Sequence, residues 1–217
     1  MLGVLSLVGL AALAGAAAAA EPPAISGRYT IDPHHTQPTV EWEHFGISRI
    51  TGRFDHTTGT LDLDVPHRRA RVQVEIAANS LSTGEPLLDQ RLKSAAFLNV
   101  ARFPKITFRA DDFRFRGDTL QSVAGDLTIH GVTHRVVLTA LNARCVAHRN
   151  PTMTEPACGA NLETTLNRSD YGVGLFAPLV ADRVTIRISV EALLGAEGVE
   201  SQFQALSNRR AAAGNKR

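Results

Sequence analysis

Eight histidines are the side chains that most invite chemistry: His34, His35, His44, His56, His67, His130, His134 and His148. A zinc site needs about four ligands converging on tetrahedral geometry. His35 and His44 are the pair expected to approach across two strands, with His34 or Glu43 beside them. No HExxH spacing or paired-cysteine spacing accompanies them. His130-Gly131-Val132-Thr133-His134 reads as a hairpin turn around glycine rather than as a ligand pair. Ester hydrolysis is the second chemistry. His44 with Asp170 or Ser169 can be drawn as an acid–base–nucleophile set, but no G-x-S-x-G elbow is present and no spacing forces that set. The third chemistry belongs to Cys145 and Cys158, separated by loop formers such as Asn150, Pro151 and Pro156. A disulfide closing that hairpin loop is expected, worth about 3 kcal/mol in chain-entropy terms.

The elements that must position these groups alternate with period two, the signature of strands with one wet and one dry face. Val40, Trp42 and His44 share one face, with Glu41 and Glu43 opposite. Ile50, Gly52 and Phe54 follow, with Gly52 expected to leave space on the inner side. The same alternation runs through Leu61–Val65, Val72–Ile76, Ile106–Phe108, Leu127–Ile129, Val136–Ala140, Leu162–Leu166 and Val184–Val190. Eight or nine such segments in one domain point to a closed barrel or a sandwich. Residues 86–96, PLLDQRLKSAA, break the pattern with helical spacing. Pro86 suits the first turn of a short helix there, with Ser82 or Thr83 as its cap.

An eight-stranded barrel either fills itself with side chains or holds one small ligand, and both cases place apolar residues inside. His44 on the inner face takes a strand-end carbonyl, a water or a ligand head group, because an unpaired polar group in a dry core costs about 1–3 kcal/mol. Arg168, Asp170 and Tyr171 fit either an ion pair with a packing tyrosine at a barrel end or a head-group contact, and Phe97, Phe103, Phe108 and Phe113 fit either core or ligand wall.

The chain has 217 residues, a net charge of +2 and 44% hydrophobic residues, an ordinary globular balance. That net charge is too small for a dedicated nucleic-acid binder, which normally carries a concentrated basic face. Residues 1–20 hold no charged side chain and end in Ala18-Ala19-Ala20, the small-x-small pattern of a cleaved signal peptide. The rival, a membrane anchor, is disfavoured because the segment is only weakly apolar and no basic cluster follows. Residues 198–217 carry Arg209, Arg210, Lys216 and Arg217 against Glu200 and read as a basic flexible tail. Residues 21–197 remain for the folded domain.

With these segments laid out, the chain resembles the YceI-like family of exported polyisoprenoid-binding proteins. The stretches that carry the resemblance are Tyr29–Phe54 (YTIDPHHTQPTVEWEHFGISRITGRF), Ser80–Phe108, Gly125–Leu138 (GDLTIHGVTHRVVL) and Leu166–Gly174 (LNRSDYGVG). The family's His-Ser stands here as His35-Thr36, its second histidine as His44, and its Arg-Ser-Asp-aromatic-Gly as Arg168 to Gly172. Departures are Ala96-Phe97, Arg102-Phe103-Pro104, His134, and the loop carrying the cysteines. The resemblance implies an all-β, antiparallel, lipocalin-like eight-stranded β-barrel with one or two short helices, located in the periplasm or secreted. It also implies that the barrel holds a long-chain isoprenoid or similar amphiphile, and with the metal and hydrolase spacings missing the expectation is a non-enzymatic carrier with no cofactor, no metal and no catalytic residue. The expected ligand contacts are His35, Val40, Trp42, His44, Phe54, Phe97, Phe103, Phe108, Arg168 and Tyr171. The head group is expected near His35, His44 or Arg168, and the tail against Trp42 and the phenylalanines. Expected partners are the amphiphile, no nucleic acid and no stable membrane span, with a homodimer left open. The alternatives are a hydrolase using His44 and a metal-binding protein using His35 and His44.

Overall fold

The computed structural model describes residues 24–147 and 155–195; segments 1–20 and 198–217, read above as signal peptide and tail, lie outside the described residues. The elements run β1 (Gly27–Ile31), β2 (Thr39–His44), β3 (Ser48–Phe54), β4 (Thr57–Asp64), β5 (Arg69–Ala77), β6 (Leu81–Ser82), α1 (Pro86–Lys93), β7 (Lys105–Arg116), β8 (Thr119–Ile129), β9 (Val132–Val146), β10 (Ala157–Asn167) and β11 (Arg183–Leu194). Single 3-10 turns stand at Ala78–Ser80 and Arg168–Tyr171. Every strand pairing is antiparallel, and a β1–β11 ladder closes the sheet on itself.

Eleven strand segments make eight barrel strands, because three of the strands are broken. β1 and β2 both run along β11, through Ile31↔Ala192 and Thr39↔Arg187. Eight residues of the first strand therefore span five of β11, and the surplus bulges out between Asp32 and Pro38. Pro33 and Pro38 have no N–H to give a ladder, which is why the break falls there. β3 and β4 are likewise two halves of one strand, as are β5 and β6. The breaks are sewn to one another: the Phe54 N–H donates to the Pro38 carbonyl at 2.9 Å and that of His56 to Ser80 Oγ at 3.1 Å.

The helix is shorter than its sequence pattern. It ends at Lys93, where the Ser94 hydroxyl and N–H both turn back to the Arg91 carbonyl at 2.7 and 3.1 Å. Neither Ser82 nor Thr83 is its cap. The Glu85 carboxylate accepts from the Leu88 N–H at 2.7 Å, while Thr83 is held by Asp89. Of the described elements, no helix is long and apolar enough to cross a membrane.

The two ends of the barrel differ. One end gathers the β2–β3 and β8–β9 hairpins, α1, and the 168–182 segment. The other gathers the β4–β5 and β7–β8 hairpins and the cysteine pair. At the first end the wall itself is incomplete. β6 pairs with β3 alone, and the β5–β7 ladder stops at Ala77↔Lys105. The gap between β6 and β7 is covered by α1 and residues 94–104 rather than by a strand.

Candidate functional site

The inner wall is built by the alternation. On β11, Val184, Ile186, Ile188 and Val190 point inward while Arg187 and Ser189 face water. On β7 and β9 a bulge resets the phase. Phe108 and Ala110 point inward, and beyond the shift near Asp112 the inward residues are Phe113 and Phe115. The outward-facing Val137 and Leu141 of β9 stay exposed on the barrel's outside.

These inward residues do not meet in the middle. Val40, Val72, Val136, Ile186 and Ile188 are only half-buried although they face inward, because they border a lumen of about 830 Å³. Folded interiors rarely leave voids larger than a water molecule. Ligand pockets run to about 300–1,000 Å³, so this volume belongs to the second class. The lumen runs from Trp42, Phe97 and Tyr171 at the α1 end to Phe115 and the Cys145–Cys158 pair at the other. Gly52 does not supply the space: a Cβ there would come within 2.9 Å of Leu81, whose side chain fills that position.

Seven of the ten expected contact residues line the lumen: Val40, Trp42, Phe54, Phe97, Phe108, Arg168 and Tyr171. His35, His44 and Phe103 do not. His35 sits in the break after β1, where its Nδ1 lies 2.8 Å from the buried Asp32 carboxylate. His44 is on the inward phase but is the last residue of β2 and is not among the lining side chains; its ring lies against Phe45 at 4.3 Å. Phe103 packs on the His130 ring at 4.5 Å and over Gly131. Lumen residues outside the expected contacts include Thr36 of the His35-Thr36 motif, Thr57, Leu92 and Leu98. The period-two pattern of β11 was the available signal for Ile186 and Ile188.

Arg168 reaches the lumen wall and also donates to four carbonyls of the chain. Nε donates to the Ala181 carbonyl and Nη2 to that of Val180, each at 2.9 Å, while Nη1 donates to those of Val173 and Leu175. These bonds make it a clamp on the 173–181 segment. Burial lowers its pKa from the ordinary guanidinium value, partly offset by Asp182. Asp182 is itself held below the usual carboxylate range, first by the Ser169 hydroxyl, which donates to it at 2.6 Å. Ser169 therefore has Asp182, not His44, as its hydroxyl partner. Burial pushes the Tyr171 phenol up, and Asp170 adds to the shift. The Tyr171 and Thr57 hydroxyls are buried with no hydrogen-bond partner.

His35 is joined to Asp32 rather than to His44. Asp32, His35 and Glu191 are the three groups whose donor atoms converge, within 4.8 Å, among the described residues. Asp32 there also accepts the His34 N–H at 2.9 Å, so it orders the turn after β1. Cys145 and Cys158 stand directly opposite each other on β9 and β10, bonded, with Cα atoms 4.0 Å apart.

A closed antiparallel barrel of eight strands around an apolar, unfilled lumen defines a lipocalin-like architecture. Residues 29–192 match the YceI-like domain, and the chain belongs to that family. A UPF0312 protein of Pseudomonas paraeruginosa is 30% identical over 188 residues, covering 85% of this chain and 96% of that one. Among solved structures, Burkholderia cenocepacia BcnA superposes with a TM-score of 0.64 at 17% identity, covering 74% of this chain and 98% of that one. A polyisoprenoid binding domain from Saccharophagus degradans superposes with a TM-score of 0.59 at 15% identity, covering 76% and 98%.

Proposed function

We propose that this protein is a non-enzymatic carrier, exported to the periplasm, that holds a polyisoprenoid or similar long-chain amphiphile inside its barrel. The observation that carries the reading is the apolar lumen of about 830 Å³, bordered by half-buried Val, Ile, Leu and Phe side chains. Burying each methylene of a guest is worth about 0.8 kcal/mol, so a long chain outweighs the cost of ordering it. The polyisoprenoid binding domain of Saccharophagus degradans, alike in fold, supports this class of guest. The uncharged N-terminal segment and the disulfide support export to an oxidising compartment.

Organic extraction of the purified protein followed by mass spectrometry tests the proposal. A stoichiometric long-chain amphiphile is the expected result. An empty extract, together with no calorimetric heat for any hydrocarbon guest, overturns it. Ester turnover abolished by His44→Ala would favour the hydrolase instead.

A further inference from the structure

Apolar side chains that the lumen does not use collect at the α1 end. Ile47, at the tip of the β2–β3 hairpin, is 86% exposed, Leu87 in the first turn of α1 is 74% exposed and Leu179 is 65% exposed. Phe45, Leu175 and Phe176 lie in the same segments and are also exposed. The segments form one surface. The Phe45 N–H donates to the Leu179 carbonyl at 3.1 Å, His44 bridges to Val180, and the Ala181 N–H donates to the Glu43 carbonyl at 3.0 Å. Phe176 connects this hairpin pair to the helix side, with its ring 6.2 Å from that of Phe97 and under the Arg91 guanidinium at 5.3 Å. Phe97 in turn lines the lumen. The exposed rim is therefore continuous with the binding space, at the end where α1 rather than a strand closes the wall.

From this geometry we infer that the α1 end is a membrane-docking rim, and that its occupant is the surface of a lipid bilayer. This rests on the carrier reading. A long-chain guest is nearly insoluble in water, so it must pass between an apolar phase and the lumen without crossing bulk solvent. The rim suits a fluid phase better than a folded partner. Its apolar groups sit on separate turn tips, which project rather than forming a groove for a complementary ridge. Charge at the rim is mixed. Arg91 and Arg102 are exposed beside the tips, over Phe176 and Phe103, where a lipid phosphate meets them once the tips are inserted, and Arg49, also exposed, lies 3.6 Å from Glu41. Of the nearby acids, Glu85 caps α1 and Asp89 is held by Thr83, while Glu43 and Asp170 are exposed.

The test is flotation of the full mature chain, lipid-free, with vesicles of phosphatidylglycerol and phosphatidylcholine, beside Ile47→Asp/Leu179→Asp and the outer-wall control Leu141→Asp. The double variant should lose vesicle binding by at least about tenfold, while the control binds as the parent does. All three proteins should take up a water-soluble short-chain fluorescent amphiphile equally and melt alike. Failure of the parent to float, or equal flotation of parent and rim variant, overturns the inference. So does a parent dimer that the rim variant converts to monomer, since the rim would then cover a second copy. Rim-dependent flotation without any amphiphile uptake leaves the docking surface standing and removes the carrier reading, so the two failures are distinguishable.

Discussion

Ile188→Trp plugs the lumen at mid-height, and its effect follows from the barrel's dimensions. Ile188 faces inward on β11, opposite Leu162 of β10. The lumen wall on β10 and the first residue of the turn after it extends from Cys158 to Arg168. Ten residue steps at about 3.4 Å, tilted by about 40°, give an axial length of about 26 Å. From Arg168 to the level of Leu162 the same arithmetic gives about 16 Å. Affinity across a series of n-alkyl carboxylates should therefore rise about fourfold per methylene, from 0.8 kcal/mol each. It should level off once the extended chain exceeds about 26 Å in the parent and about 16 Å in the variant. Competition against a fluorescent amphiphile measures both curves. Overpacking a filled core costs about 1–3 kcal/mol, whereas a side chain added to vacant space should leave the melting temperature within a few degrees. Identical plateaus in parent and variant, or affinity independent of length in the parent, would refute the lumen as the seat of binding. A large fall in melting temperature would refute its being vacant.

Other perturbations read the frame around the lumen. Cys145→Ser opens a bridge that spans 13 residues of chain; the expected cost of about 3 kcal/mol lowers the melting temperature by about 10 °C, and reductant should do the same to the parent. Arg168→Lys removes the fork that holds carbonyls from Val173 to Ala181 and should cost about 2–3 kcal/mol, with faster proteolysis within residues 173–181. Because the folded-state pKa of Asp182 is depressed, its contribution is complete above the ordinary carboxylate range and is lost as pH falls through the depressed value. Protease sensitivity of that segment should therefore rise below about pH 4, and Asp182→Asn should flatten the profile. Tyr171→Phe removes a buried hydroxyl that has no partner, so the empty protein should melt at the same temperature or slightly higher.

Alternation made the strands legible, since each has one wet and one dry face. What it could not show was where they break. A bulge adds one residue and inverts every later side chain, so Phe113 faces the lumen although strict alternation from Phe108 would place Asp112 there. Nor could it separate a hollow barrel from a filled one, because Val, Ile and Phe face inward in both. His44 was placed on the correct face, but a face does not fix what the ring touches, and at the strand's last position it packs against Phe45 instead of lining the lumen. Arg168 looked available because its partners are main-chain carbonyls, and carbonyls leave no mark on residue type. Its clamp therefore became visible only in three dimensions. The cysteine pair was the most legible feature, since two thiols on the arms of one hairpin have few other partners.

The interruptions at Asp32–Pro38, Asp55–His56 and Ala78–Ser80 divide the tube into a sleeve of continuous ladders and a collar sewn on by a few hydrogen bonds. Adding or removing residues at those seams changes the girth of the collar while the β7-to-β11 ladders keep their register. Cargo width can thereby be retailored without unpicking the sleeve, which makes the seams the natural place to engineer what the protein accepts.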